Sequence, residues 1–303
     1  FNVGWTTYDH RVDRINLSGR IDWLNFTGRN DKLKALIQFG YTPKQELEYR
    51  FPYLNKRQSL GVTTLFLHSI NKELNYGTFN NREQLVRLGE QKIQERWEGQ
   101  IRTFYRPTIN IKYELALRYQ NLEIDQEVVT DYNPLYFSNG DSTHSVFSLR
   151  LVYEYDDRDR KIFPATGIKF SAEAEKIGLT NSADENTLIT ALSVEWNATT
   201  GRRFQHRVST TAKYSLSRSR PSFVYYKGLG SGVKYVSGYE LYVIDGLDYV
   251  LGKYQLAYKL LEKQSNLGSF MPVDQFRQVT YAFYISLLAE VGYVNDPYSG
   301  GVN

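Results

Sequence analysis

The chain has 303 residues and a formal net charge of +4, with its 37 Lys and Arg scattered rather than in runs, so nothing in the charge argues for nucleic acid. It contains no cysteine, which excludes a disulfide scaffold, a thiolate metal site and a cysteine nucleophile. No apolar run reaches the roughly eighteen residues of a helical membrane span.

In chain order, Phe1 opens in a strand-like stretch without the basic region and apolar core of a signal peptide, which reads as a mature chain or a fragment. In 15–23, Ile15, Leu17, Gly19, Ile21 and Trp23 alternate with Asn16, Ser18, Arg20 and Asp22. In 109–120, Ile109, Ile111, Tyr113, Leu115, Leu117 and Tyr119 alternate with Asn110, Lys112, Glu114, Ala116, Arg118 and Gln120. In 168–176, Ile168, Phe170, Ala172 and Ala174 alternate with Lys169, Ser171, Glu173 and Glu175. The same period of two runs through 147–155, 204–216, 250–260 and 279–293, and strict alternation of this kind is the strand signal.

The spacing predicts thirteen strands, at 1–11, 14–27, 31–42, 44–54, 58–71, 94–106, 109–124, 145–157, 167–178, 186–198, 203–217, 247–262 and 278–294. Strands of soluble sandwiches run about five or six residues, whereas a tilted membrane crossing takes about 9–11. Most segments here have the longer length, and their polar faces carry full charges. The 25 tyrosines and the mean hydropathy of −0.49 suit strands that show lipid one side chain and a wet lumen the next.

The connections alternate in character. "TGRN", "LNKR", "RPT", "DRDRKIFPATG" and "ATTGR" are mostly tight, while "NKELNYGTFNNREQLVR", "DQEVVTDYNPLYFSNGDST" and the stretch after Ser217 are long. That is the pattern of short periplasmic turns and long outer loops; "KQSNLGSFMPVDQ" is long for a turn. The fold class expected is therefore all-β, a transmembrane antiparallel β-barrel spanning 1–303, with 218–246 as a long outer loop. Thirteen is odd, and the chain stops at "NDPYSGGVN", of loop composition. An open edge in lipid costs several kcal/mol per unpaired group, so further C-terminal strands are expected.

No catalytic, cofactor or metal site is expected. His10, His68, His144 and His206 are isolated, without metal-ligand spacing. His144-Ser145 is the nearest thing to a hydrolase constellation, and loop chemistry explains it better. Glu173 and Glu175 share a face like a glycosidase pair, but lumen-facing charges are expected in a barrel. "GLGSG" (228–232) lacks the helix that must follow a dinucleotide fingerprint. Asp156, Asp157 and Asp159 could hold calcium, though a charged turn is the simpler account.

Two stretches exceed what alternation requires. One is "YEYDDRDRKIFPATGIKFSAEAE" (153–175), for which a polar hairpin with backbone-driven Pro and Gly is the plain alternative. The other is "VSGYE" (236–240), followed by "LLAEVGY" (287–293). In this order they resemble the BamA/TamA family of outer-membrane assembly and translocation barrels, closer to the TamA side. Asp157, Arg158, Asp159, Phe163, Pro164 and Gly167 match its periplasmic hairpin. Val236, Ser237, Gly238 and Tyr239 match the tip of its lumen loop, with Ser237 where the family has arginine. Leu288, Glu290 and Gly292 loosely match a late strand, and "NFTGRND" and "FPYL" its early turns.

The resemblance implies a sixteen-stranded barrel preceded by periplasmic POTRA domains, with 218–246 folded into the lumen and anchored at Glu290. It implies insertion or export of β-rich clients, templated on a seam strand near 1–11, in the outer membrane of a Gram-negative bacterium. The partners it implies are the lipid bilayer, client outer-membrane or secreted proteins and periplasmic or outer-membrane accessory proteins. A passive porin and an outer-membrane hydrolase are the rival readings. Ser237 should anchor the loop more weakly than arginine, unless Lys234 or another base substitutes, because a hydroxyl offers one neutral hydrogen bond.

Overall fold

The computed structural model describes residues 1–7, 11–180, 184–230, 232, 234–266, 268, 273, 275 and 277–298. His10, Ser231, six of the thirteen residues of the "KQSNLGSFMPVDQ" connection and the last five residues lie outside them. Among the described residues fifteen strands form: β1 Asn2–Thr7, β2 Ile15–Leu24, β3 Lys32–Gly40, β4 Lys44–Phe51, β5 Leu60–Asn71, β6 Leu74–Phe79, β7 Arg82–Val86, β8 Gln94–Tyr105, β9 Ile111–Ile124, β10 Thr143–Asp156, β11 Gly167–Ile177, β12 Thr187–Thr200, β13 Phe204–Ser215, β14 Asp248–Asn266 and β15 Gln278–Asn295. Thirteen of them make one antiparallel sheet in chain order, β1 to β5 and then β8 to β15, and β6 pairs only with β7. These thirteen are the strands that the period of two predicts. β14 runs four residues beyond the predicted end at Glu262, so its connection to β15 is shorter than the sequence suggests.

The register sorts the side chains. Tyr105 pairs with Tyr113, Tyr113 with Tyr153 and Tyr153 with Ala172, which lines up one apolar face near the tight turns. Rings along this row lie 5.3–6.3 Å apart, from Tyr105 through Tyr113 and Tyr153 to Phe170, the aromatic girdle of a membrane interface. The opposite face, called inner here because the long loops pack on it, carries the charges. Lys34–Glu48 (2.7 Å), Lys112–Glu114 (2.8 Å), Arg118–Glu175 (2.7 Å) and Arg150–Glu173 (2.7 Å) pair along or across its strands. Opposite charges at facing positions are the stabilising arrangement for a solvated sheet face.

At the long-loop end the chain builds a second, unexpected layer. β6 and β7 turn through Asn80 and Asn81, both at positive φ (51° and 58°), as a two-residue hairpin turn matching strand twist requires. Leu74, Val86, Ile93, Leu122, Ile124, Val128, Val129, Tyr136 and Phe137 bury one another in a common core, joined by Phe223 and Val224. Segments 72–93, 125–142 and 216–247 thus form a cap with its own apolar interior rather than three separate connections.

Candidate functional site

The loop 216–247 is closed at its neck by backbone. Leu229 and Ile244 exchange hydrogen bonds of 3.0 and 2.8 Å. The flanking glycines permit this approach: a Cβ on Gly230, at φ +91°, would sit 1.8 Å from the Tyr242 carbonyl oxygen, and one on Gly228 2.2 Å from that of Ile244. The glycines of "GLGSG" therefore serve close backbone approach. The Val243 N–H also donates to the Asn81 carbonyl at the β6–β7 turn (2.9 Å), tying the loop to the cap.

Beyond the neck, Val236–Tyr239 forms a tight turn in which the Tyr239 N–H donates to the Val236 carbonyl (2.9 Å). Gly238, at φ +87°, supplies the positive φ that a type II turn needs at its third residue. This geometry leaves the Ser237 N–H free of the turn, and it donates to Glu290 Oε2 (2.6 Å) while the Ser237 hydroxyl donates to Oε1 (2.9 Å). Glu290 sits on β15 opposite Lys253 of β14, and Lys253 Nζ lies 3.2 Å from its carboxylate. Lys253 also donates to the Tyr235 carbonyl (2.8 Å). Next to this contact, Gly292 leaves room for the loop: a Cβ there would meet Leu229 at 2.6 Å and Val236 at 3.3 Å.

The structure thus brings Ser237 and Glu290 together and adds three residues the sequence reading missed as contacts: Lys253, Leu229 and Tyr235. A single neutral hydrogen bond undercounts the contact, because the backbone N–H of Ser237 contributes as well. The base beside Glu290 is Lys253 on the wall; Lys234 lies instead 5.3 Å from the Tyr249 ring centre.

The hairpin 157–167 is built at the tight-turn end. Asp159 accepts the N–H groups of Ala165 (2.8 Å) and Thr166 (3.2 Å), and Asp157 accepts that of Ile168 (2.6 Å). Burial works against the Asp159 carboxylate, yet those N–H donors and Arg160 hold it below its ordinary range. Arg158, one-tenth exposed at its side chain, turns onto the inner face between Asp156 (2.8 Å) and Glu195 (3.0 Å). Its hydrogen bonds to Asp156 and Glu195 raise it above the ordinary arginine value against the effect of burial. Phe163, at φ 53°, sets its ring 6.2 Å from Tyr284 with Arg207 over it at 5.7 Å. Gly167, at φ +105°, is irreplaceable on space alone, since a Cβ would lie 2.6 Å from Arg158 Cα.

The residues of the rival chemistries are engaged elsewhere. His144 is fully buried, stacked on Phe137 (4.8 Å), with Nε2 at 3.2 Å from the Tyr225 hydroxyl. Ser145 follows it on the strand and so points to the other face, where its hydroxyl accepts from Asn121 (2.6 Å). His68 lies between Gln45 (2.6 Å) and Glu95 (3.0 Å), and His206 beside Tyr254 (2.9 Å). Glu173 is held by Arg150 and Glu175 by Arg118. Among the described residues no group of histidines and carboxylates has metal-binding geometry.

The Omp85 superfamily domain matches residues 25–252. In structure the chain is similar to BamA from Haemophilus ducreyi lacking POTRA domains 1–3, at 11% identity and a TM-score of 0.61, covering 96% of this chain and 75% of that one. It is also similar to CdiB from Escherichia coli, at 12% identity and a TM-score of 0.52 over 92% of this chain, and to CdiB from Acinetobacter baumannii, at 10% and 0.50 over 94%. The chain spans only 54% and 47% of those two CdiB chains. A search among curated proteins finds no match. The thirteen-stranded sheet is the wall of a transmembrane β-barrel of the outer-membrane type.

Proposed function

Because this chain belongs to the Omp85 superfamily, we propose that it inserts or translocates β-rich client proteins at a Gram-negative outer membrane, without bond chemistry of its own. The observation that carries this reading is the loop 216–247, docked by its tip on Glu290 and Lys253 of the inner wall. A diffusion pore is served by an open lumen, whereas a loop held by a few polar contacts is suited to a pathway that opens for a client. Within the family we read the chain as TamA-like, a reading supported by the order of its motifs along the whole chain. The partners in this reading are the bilayer, unfolded outer-membrane or secreted proteins, and periplasmic or outer-membrane accessory proteins.

The templating edge in this reading is β1. It is the shortest strand of the sheet, six residues of which five are exposed, and such a strand offers backbone groups to an incoming strand by β-augmentation. Reconstitution of the chain into vesicles tests the proposal, with folding of an unfolded barrel client followed by protease protection. The chain should speed insertion about tenfold over empty vesicles, which corresponds to about 1.4 kcal/mol of barrier. In planar bilayers it should conduct poorly and flicker. Steady conductance with no acceleration of insertion would assign the porin reading instead.

A further inference from the structure

Beneath the loop neck a cavity of about 680 Å3 lies between the loop and the inner wall, lined among others by Arg96, Arg118, Glu175, Lys213, Lys227, Lys234 and Tyr249. Five of these are cations and one is a carboxylate. The two arginines are already neutralised, Arg96 by Glu98 and Arg118 by Glu175. Of the three lysines, only Lys227 has a carboxylate in ion-pair range among the described residues, Asp245.

Lys213, on β13, directs its ammonium to the backbone carbonyls of Lys227 and Gly246, the latter at 3.2 Å. Lys227, in the loop, is 3.6 Å from Asp245, too far for a hydrogen bond, and its buried Nζ has no hydrogen-bond partner. Burial pushes the Lys227 ammonium down, with Asp245 opposing. Lys234, also in the loop, lies over the Tyr249 ring. Among the described residues neither Lys213 nor Lys234 has a carboxylate in ion-pair contact.

Tyr249, on β14, is an independent sign of a missing acceptor. It is 2% exposed and its hydroxyl is buried without a hydrogen-bond partner. Buried hydroxyls are normally satisfied. Three ammonium groups and one unpartnered hydroxyl thus line one chamber whose single lining carboxylate, Glu175, is already held by Arg118.

We propose that this chamber binds a phosphate-class oxyanion, which bridges Lys227 and Lys234 of the loop to Lys213 and Tyr249 of the wall. Lysine is a point-charge partner for phosphate, and a dianion with several oxygens answers three ammoniums and a hydroxyl better than a single carboxylate does. The ligand would clamp the loop in its inward position at a place distinct from the Ser237–Glu290 contact. The proposal does not depend on which clients the protein handles.

The test is hydrogen exchange of the loop 222–246 in the full chain, held in zwitterionic phosphatidylcholine nanodiscs and titrated with inorganic phosphate. Phosphate should slow exchange of the loop by about tenfold at saturation, and sodium chloride at equal ionic strength should not. Lys234→Met, a loop change that leaves every strand intact, should abolish the slowing, and Tyr249→Phe should weaken it about threefold. A second arm uses nanodiscs containing phosphatidylglycerol with no added phosphate. Protection there, without protection by free phosphate, assigns the site to an anionic lipid headgroup; protection by free phosphate assigns it to a soluble ion. Equal protection by chloride, no protection in either arm, or a Lys234→Met protein that responds like the parent would overturn the proposal.

Discussion

At the tight-turn end, the turns are fastened to the wall strands, their own and nearby ones. Asp31, 1% exposed, accepts the Thr27 N–H (2.9 Å) and the Tyr49 hydroxyl (2.9 Å) across its turn, and Asp159 and Arg158 do the same for the hairpin 157–167. At the other end, the fastening is between connections distant in sequence: an apolar core shared by three loops and one tip held on Glu290. Local fastening makes a turn as stable as its strands. Fastening between loops gives units that separate from the wall without unpairing it, and such low-stability units are where function-linked motion arises.

The largest effect should come from breaking the cap. Phe137→Ala removes a fully buried ring and should cost the cap about 3–5 kcal/mol, seen as faster exchange of 72–93 and 125–142 with the strand amides unchanged. Loss of strand protection as well would show that cap and wall unfold together. At the tight-turn end, Arg158→Met leaves Asp156 and Glu195 facing each other without their cation. It should cost about 3 kcal/mol in denaturant unfolding from micelles, there felt by the whole sheet. A loss confined to the hairpin would contradict the contrast between the two ends.

Much of the contrast is readable in the sequence, and the unreadable part has a common cause. Period two marks thirteen strands because each crosses a boundary between lipid and water, and that constraint acts residue by residue. β6 and β7 escaped notice although Asn80-Asn81 carries a hairpin signal, because a run between two wall strands reads first as a connection. The cap core draws on Leu74, Val128 and Phe223, whose meeting depends on how three loops fold together. Lys253 faces Glu290 only through the register of β14 on β15, and a slip of one residue would turn it to the other face. The positions of Ser237, Glu290 and the hairpin residues were legible from motif order; the partners that hold them were not.

Smaller effects sharpen the comparison. Glu290→Gln keeps the side-chain shape but loses the charge that Lys253 and the Ser237 donors share, and should cost the loop about 1–2 kcal/mol, read as exchange of 234–243. No change there would mean that the neck alone holds the loop. Asp159→Asn should cost under about 1 kcal/mol and be confined to the hairpin. Its pH dependence has a definite sign. The folded carboxyl lies below its ordinary 3.8, so its contribution is fully present above that value and is lost as pH falls through the folded one. An acid unfolding profile of the hairpin identical in parent and Asp159→Asn would contradict this.

The central claim, that the loop tip rests on the inner wall and must leave it for a client to pass, is most directly tested by a reversible tether. The chain has no cysteine of its own, and Val236 Cγ2 lies 3.3 Å from where a Cβ on Gly292 would sit, so the two side chains meet once the Leu229 methyl, 2.6 Å from that Cβ, turns aside. Val236→Cys with Gly292→Cys should crosslink on oxidation, abolish client insertion in vesicles, and regain it on reduction. An oxidised, crosslinked protein that inserts clients at the rate of its reduced form would contradict the claim.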